Sequence, residues 1–344
     1  MAIQAQKLVS LLGGEGFKVT AVKTNADLPK NFDFISEVKG LRTIVSVLAF
    51  LKNLNKALPQ IEVVYFLTGF FNFFFWVTYP ALILIKIHRK RVILSARGGE
   101  ARRFFQKYRP LVKPILKRVD AISAPSGFLK EAFEEVLGLD AVIVPNIVDF
   151  NQFRFRERKP VRPKLLVTRS LDEIYNVDCV IRAFKKVHDY FPESSLGIVG
   201  GGSQRQALEK LVADFNLTDC VTFYGKIEHS KIQNYYDQYD IFLNASNVDN
   251  LPGVILEAFA SGLPVVSTRA GGIPYLVAEG VTGLLVDIGD SEALAEKVIE
   301  LVKDPKLALC LANNARLECQ KYSWENVKTA LIPLIERNIS DAKN

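Results

Sequence analysis

The chain has 344 residues and a formal net charge of +7. That length suits two ordinary domains, and the basic excess is too small for a nucleic-acid partner. It fits an anionic substrate or a membrane surface equally well. With 49% apolar residues, each half can bury a core. The four cysteines show no C-x-x-C spacing and read as reduced thiols in a reducing compartment. The amino terminus lacks a basic, apolar, small-residue leader, so no export is expected and the cytoplasm is the expected location.

Residues 1–12 read as a helix, with Ile3, Leu8, Leu11 and Leu12 on one face, closed by Gly13-Gly14. A short strand is expected over Lys18 to Val22, then a helix over Leu41 to Leu58. The stretch Val63 to Ile87 is apolar over the ~20 residues that a membrane span requires. Gly69, Asn72 and Pro80 interrupt it, and a strand at Val63–Leu67 with a helix at Phe70–His88 fits better, because another strand follows at Val92–Ser95. A Phe-rich surface dipping into lipid, with Lys86, Arg89, Lys90 and Arg91 at the headgroups, stays open. Arg97, Gly98 and Gly99 occupy a loop at a strand's carboxyl end, where glycines permit close backbone approach. Arg97 reads equally as a ligand-facing or a structural residue. Arg102, Arg103, Lys107 and Arg109 make a basic helical face, read first as solvated. Strands at Asp120–Ala124 and Ala141–Val144 flank a helix capped by Ser126. The basic, Pro-containing stretch Phe155 to Lys164 reads as a segment crossing between domains.

In the second half, a strand over Lys164–Thr168 runs into Arg169, and a helix covers Val177–Tyr190. The strand Leu196–Val199 ends in Gly200-Gly201-Gly202-Ser203. This turn departs from G-x-G-x-x-G at Arg205, and the next strand ends in Gly225, not in an acidic ribose partner, so a nicotinamide enzyme is excluded. Residues 240–276 read as strand, loop, helix, strand and loop, the repeat of a parallel α/β sheet. Pro252 opens the helix, and Gly262 with Pro264 closes it. Bare amides at Gly253 would face an anion. Glu257 lies one turn deeper on the same face, and Asp249 precedes the helix. Carboxylates so placed suit donor hydroxyls; a helix cap and a surface Glu remain the simpler reading of the spacing alone. A further helix opens at Asp290–Glu292, with Leu294, Val298, Leu301 and Val302 on one face.

Residues 240–302 resemble the donor half of group-1, family-4 retaining glycosyltransferases. The family pattern E-G-x-x-x-x-x-x-E-A-x-A-x-G-x-P-V-V is matched from Glu257-Ala258 to Pro264-Val265-Val266. Asp249 stands where the first Glu is usual, Asn250 where Gly is usual, and Tyr275 takes a Glu position after the Gly-Gly-Ile-Pro turn. Val281 to Val286 and Tyr322-Ser323-Trp324 continue the pattern, and Pro145-Asn146-Ile147-Val148-Asp149 resembles the family's interdomain linker.

The resemblance implies an α/β protein of the GT-B fold, two Rossmann-like domains with parallel sheets facing a central cleft. Residues 1–148 would be the acceptor side, 149–321 the nucleotide-sugar domain, and 322–344 a helix packing back toward the first domain. It implies Arg169 on the donor diphosphate, Asp249 on the sugar hydroxyls and Glu257 on the ribose. Gly253, Asn250, Leu251 and Val254 would lie against the donor, the phosphates near Gly200, Gly201 and Gly202, and the base near Gly225 and Ile227. The family's Lys after Arg169 is missing; Tyr175 would offer one hydrogen bond, or Arg205 would compensate. The family's His in the Arg97–Gly99 loop is missing too, and its opening strand and Gly-rich turn are not found before the first helix. His88, His188 and His229 read as surface residues. With no D-x-D pair in the chain, no metal or resident cofactor is expected. The expected activity is sugar transfer with retention, in polysaccharide or glycolipid assembly. The expected partners are a nucleotide-sugar donor, a saccharide or lipid-linked acceptor, and the inner face of a membrane. A non-catalytic nucleotide-sugar-binding subunit and a nucleotide-sugar epimerase are the alternatives.

Overall fold

The computed structural model describes residues 2–25 and 39–343. They form two units, Met1–Pro145 with Lys328–Asn344, and Asn146–Val327.

The first unit begins with helices α1 (Ala2–Gly14) and α2 (Lys39–Ala57). Met1, the start of the expected first helix, lies outside the described residues. Lys18 to Val22 do not form the expected strand; alternation of apolar residues there is too short to hold an edge without a partner strand. Next come β1 (Val63–Thr68), α3 (Tyr79–Ile87), β2 (Arg91–Ala96) and α4 (Ala101–Leu116). β3 (Ala121–Ala124), α5 (Gly127–Ala132) and β4 (Val142–Ile143) complete the alternation. The four strands pair in parallel in the order β1-β2-β3-β4. Ser126 caps α5 by accepting from the Leu129 amide at 3.3 Å.

The Phe-rich run is core. Phe104 of α4 has ring centroids 5.5, 5.3, 5.2 and 5.7 Å from Phe70, Phe71, Phe74 and Phe75. α3 is not a uniform helix from its start. A π-helical turn, Phe74–Thr78, precedes it, because Pro80 has no N–H to return to the preceding turn. α4 kinks at Tyr108 (φ −118°, ψ 18°), two residues before Pro110, for the same reason. Among the described residues no helix is long and apolar enough to cross a membrane.

The second unit holds β5 (Lys164–Thr168), α6 (Val177–Tyr190), β6 (Ser195–Val199), α7 (Arg205–Asp214) and β7 (Val221–Gly225). It continues with α8 (Gln233–Gln238), β8 (Ile241–Asn244), α9 (Gly253–Ser261), β9 (Val265–Thr268) and β10 (Leu284–Val286). α10 (Ser291–Lys303) and α11 (Pro305–Cys319) follow. α12 (Trp324–Lys343) closes the chain, and from Lys328 onward it belongs to the first unit. There Lys328 reaches Glu15 at 3.0 Å and Asp341 reaches Arg91 at 2.8 Å.

The six-stranded parallel sheet runs β10-β9-β8-β5-β6-β7. Its strands alternate between two buried faces: Leu165 and Val167 join one apolar cluster, Leu166 the other. From β5 the chain winds outward through β6 and β7, then returns to the other side of β5 with β8. β5 and β8 therefore flank the point where the winding reverses, and ligands of such sheets bind beyond the strand ends at that point.

The stretch Phe155–Lys164 is not a crossing segment. Its arginines are drawn to Asp240, a fully buried carboxylate at the start of β8. Arg156 and Arg162 bind it at 3.0 and 2.7 Å. Arg158, also buried, donates to the carbonyls of Tyr236, Tyr239, Arg156 and Ser261. Burial, then the charge of Arg156, pulls Arg158 down to about 9, so it stays charged at neutral pH.

Candidate functional site

Arg169 follows the last residue of β5, so its side chain starts at the winding reversal. Its Nη2 donates to Ser246 Oγ at 2.8 Å, and the guanidinium forms an ion pair with Asp249. Its face covers the Tyr175 ring, 4.3 Å from the centroid. Tyr175 thus lends Arg169 a π-face. Burial pulls Arg169 down to about 10, while Tyr175, Tyr236 and Glu257 act the other way. The group remains a cation at neutral pH.

Asp249 does not cap α9. Pro252 occupies that position with no side-chain hydrogen bond. Asp249 Oδ1 instead accepts from the Asn250 amide at 2.9 Å. Ser246 donates to Asn244 Oδ1 at 3.0 Å, and Asn244 Nδ2 to Ser267 Oγ at 2.9 Å. This buried polar chain across the ends of β8 and β9 fixes the loop that carries Asp249.

Two glycine turns hold the pair from behind. A Cβ on Gly200 (φ +148°) would stand 1.8 Å from the Arg169 carbonyl oxygen, and one on Gly202 2.4 Å from that of Leu171. A Cβ on Gly272 would stand 2.1 Å from the Asn250 carbonyl oxygen, and the Gly272 amide donates to the Asp249 carbonyl at 3.1 Å. Only bare backbone fits at either contact. Gly272→Ala should push the 249–250 loop outward. We expect about 1–3 kcal/mol of stability to be lost, with nucleotide affinity falling at least about ten-fold. Melting curves and nucleotide titration read the two effects.

Glu257 is tied to the same centre. Tyr236 donates to Glu257 Oε2 at 2.9 Å, shares a 2.8 Å hydrogen bond with Thr168 beside Arg169, and lies 3.3 Å from the Val254 carbonyl. Burial, reinforced by the Glu257 charge, raises the Tyr236 phenol well above its ordinary value and keeps it a neutral donor. Thr168, Val254 and Glu257 thereby gather around the one Tyr236 hydroxyl.

His229 is not a bystander. Its Nε2 lies 2.9 Å from Glu257 Oε1, and the Gln152 amide reaches its Nδ1 at 3.3 Å. The ring sits between Gln152 and Glu257. Each Glu257 oxygen thus has one donor and a free lone-pair direction.

Gly253 stands at the open amino end of α9, with nothing within 4 Å of a Cβ built on it. Asn250 and Leu251 are buried in the loop before it, and Asn146 of the linker donates to the Leu251 carbonyl at 2.9 Å. Ile227 and Val254 are half-buried against the same apolar cluster. Gly201 lies beneath the stem of Lys226, whose Cγ would be 3.2 Å from a Cβ there. The Gly200 amide donates to the Gly225 carbonyl at 2.8 Å, which joins the turns after β6 and β7. Arg205 pairs with Glu209 at 2.7 Å and covers Phe223. Lys226 is the basic residue over the glycine turn.

Arg97, Gly98 and Gly99 belong to the first unit. Arg97 hydrogen-bonds Tyr65, and burial lowers its pKa from the ordinary value. Tyr65 in turn lies 3.1 Å from both Ser95 and Ser123 hydroxyls. Gly98 packs on the Phe70 ring, 3.3 Å from a Cβ built there. Tyr65 thus links β1 to β2 and β3, and Arg97 is held on its hydroxyl.

Residues 149–318 match the sequence profile "Glycosyl transferases group 1". A GDP-mannose-dependent α-(1-6)-phosphatidylinositol monomannoside mannosyltransferase of Mycolicibacterium smegmatis is 28% identical over 270 residues, 72% of this chain and 70% of that protein. A sulfoquinovosyl transferase of Arabidopsis thaliana is 34% identical over 183 residues, 52% of this chain and about a third (34%) of that protein. Among solved structures, sucrose-phosphate synthase of Thermosynechococcus elongatus superposes with a TM-score of 0.77 at 18% identity, over 98% of this chain and 93% of that one. HepE of Anabaena, in complex with UDP, gives 0.71 at 17% identity, over 88% and 89%. These likenesses carry the GT-B fold. The match over 149–318 identifies that part of the chain as a group 1 glycosyltransferase domain.

Proposed function

We propose that this glycosyltransferase moves a hexose from a nucleoside diphosphate to an acceptor hydroxyl with retention at the anomeric carbon. The observation that carries the reading is the Arg169–Asp249 pair at the winding reversal, beside the open end of α9. A diphosphate entering there meets a guanidinium fork and helix amides, both matched to phosphate oxygens. Asp249, released from Arg169, is free to accept from sugar hydroxyls. Glu257, held by His229 and Tyr236, has lone pairs left for the ribose.

In the step itself, the bond between the anomeric carbon and the diphosphate oxygen breaks. A bond from that carbon to the acceptor oxygen forms on the same face. The acceptor proton passes to the departing phosphate. Arg169 and the α9 amides stabilise charge as it builds on that phosphate, so the reading needs no metal. The UDP bound by HepE and the phosphatidylinositol acceptor named for the mycobacterial relative support a nucleotide-sugar donor and a lipid-linked or saccharide acceptor. With a lipid-linked acceptor the work would be done at a membrane surface, and its inner face is our reading.

Incubation with labelled UDP- and GDP-sugars, with chelator present, tests this. Label transferred to a saccharide or lipid acceptor in the donor's anomeric configuration supports it. Donor binding without turnover assigns a binding subunit, and an isomeric donor assigns an epimerase. Glu257→Ala should cut affinity for the whole nucleotide about ten-fold, the equivalent of one lost charged hydrogen bond. Its affinity for inorganic pyrophosphate should not change.

A further inference from the structure

Residues 70–119 contain twelve Lys and Arg and a single acidic residue, Glu100. This one segment carries more positive charge than the chain's whole excess of +7. The same segment exposes apolar side chains at helical spacing. Ile87 is 70% exposed, Leu111 61% and Trp76 57%, and Tyr79 and Ile83 lie between Trp76 and Ile87 on the same stripe. A π-helical turn precedes α3, and α4 kinks at Tyr108. Between the two helices runs an apolar groove of about 690 Å³, floored by Leu82 and Ile115 and walled by Pro110 and Pro114. An adjoining depression is lined by Arg109, Lys113 and Lys117. Lys86 is paired with Asp120, and Arg102 with Glu135. Arg109, Lys113, Lys117 and Arg118 have no carboxylate partner among the described residues.

We propose that this face of α3 and α4 docks on an anionic phospholipid bilayer. Trp76, Ile83, Ile87 and Leu111 would enter the acyl boundary, and the basic rim would lie among the headgroups. An exposed apolar stripe loses solvent contact at a membrane surface, and each nearby base adds attraction to anionic lipid. No described helix can span the bilayer, so the contact is peripheral. Unpaired bases beside the groove favour lipid over a second copy of the chain, whose matching face would bring like charges together. The inference deepens the membrane-side reading above, but the vesicle measurement uses no donor, so its outcome is independent of the transfer assay.

The test is co-sedimentation of the full chain with phosphatidylcholine vesicles, with and without phosphatidylglycerol. Trp76 and Trp324 are the only tryptophans, so a Trp324→Phe chain makes Trp76 emission a report on this face. Binding at least about ten-fold tighter to the anionic vesicles is expected, weakened by added salt and accompanied by a blue shift. Ile83→Glu with Leu111→Asp, and separately Lys113→Glu with Lys117→Glu, should each weaken it at least about ten-fold. All four positions are on the surface, and unchanged melting curves will show that the variants fold. Absence of binding to anionic vesicles, or equal binding by wild type and variants, overturns the proposal. So does a lipid-free dimer that Ile83→Glu dissociates, which would assign the face to a second copy.

Discussion

Arg169→Ala should lower kcat/KM for donor turnover by roughly a thousand-fold. Losing a preorganised donor at a developing oxyanion costs about a hundred- to a thousand-fold. This substitution also strips Asp249 of its cation. A carboxylate left unpaired at the phosphate site repels the substrate as well as failing to help it. Arg169→Lys should recover only part of the loss, because an ammonium carries the charge without the planar fork. Arg169→Ala with Asp249→Asn should be less impaired than the product of the single losses, since the stranded charge is removed with its partner. Steady-state kinetics of wild type, Arg169→Ala, Arg169→Lys, Asp249→Asn and the double variant checks this. Strict additivity would mean that the two residues do not act on one another.

Asp240→Ala is the second large effect, and it falls on stability. Removing one member of a buried charge cluster costs about 3–5 kcal/mol. The lower end is expected here, because Arg158 keeps its four carbonyl acceptors and Arg156 and Arg162 are partly solvated. For a unit of this size, that is a fall in Tm of about 6–12 °C. The effect depends on pH. Burial alone would raise the Asp240 carboxyl, but hydrogen bonds from Arg162 and Arg156 outweigh it and hold the group below its ordinary 3.8. A carboxylate depressed in the folded state contributes its stability above the unfolded pKa and loses it as pH falls through the folded one. Wild type and variant should therefore differ fully at neutral pH and converge below about pH 4. A difference in Tm that does not shrink as the pH falls below about 4 would contradict the ion-pair account.

What could be read from the residues was local. Pro252 and Gly262 mark the ends of α9 because helix starts and stops depend on a few neighbouring dihedrals. Alternating burial in β5 and β8 follows from apolar runs between turn residues. Arg169 and Asp249 stand out separately in the sequence through the surrounding motif, but not as partners of one another. What escaped is long-range. His229 meets Glu257 across 28 positions, and no pattern around either announces it. Asp240 gathers three arginines that lie some 80 residues earlier, which made a clamp look like a linker. Lys226 reaches Gly201 only because β6 and β7 pair side by side. The expected strand at Lys18–Val22 failed because a strand needs a neighbour, and alternation cannot supply one.

Titration calorimetry of UDP against UMP, and of GDP against GMP, bears most directly on the central claim. If Arg169 and the α9 amides grip the outer phosphate, the diphosphate of the preferred base should bind at least about ten-fold tighter than its monophosphate. Arg169→Ala should erase most of that difference. Equal affinity for the two, or a difference that Arg169→Ala leaves intact, would contradict it.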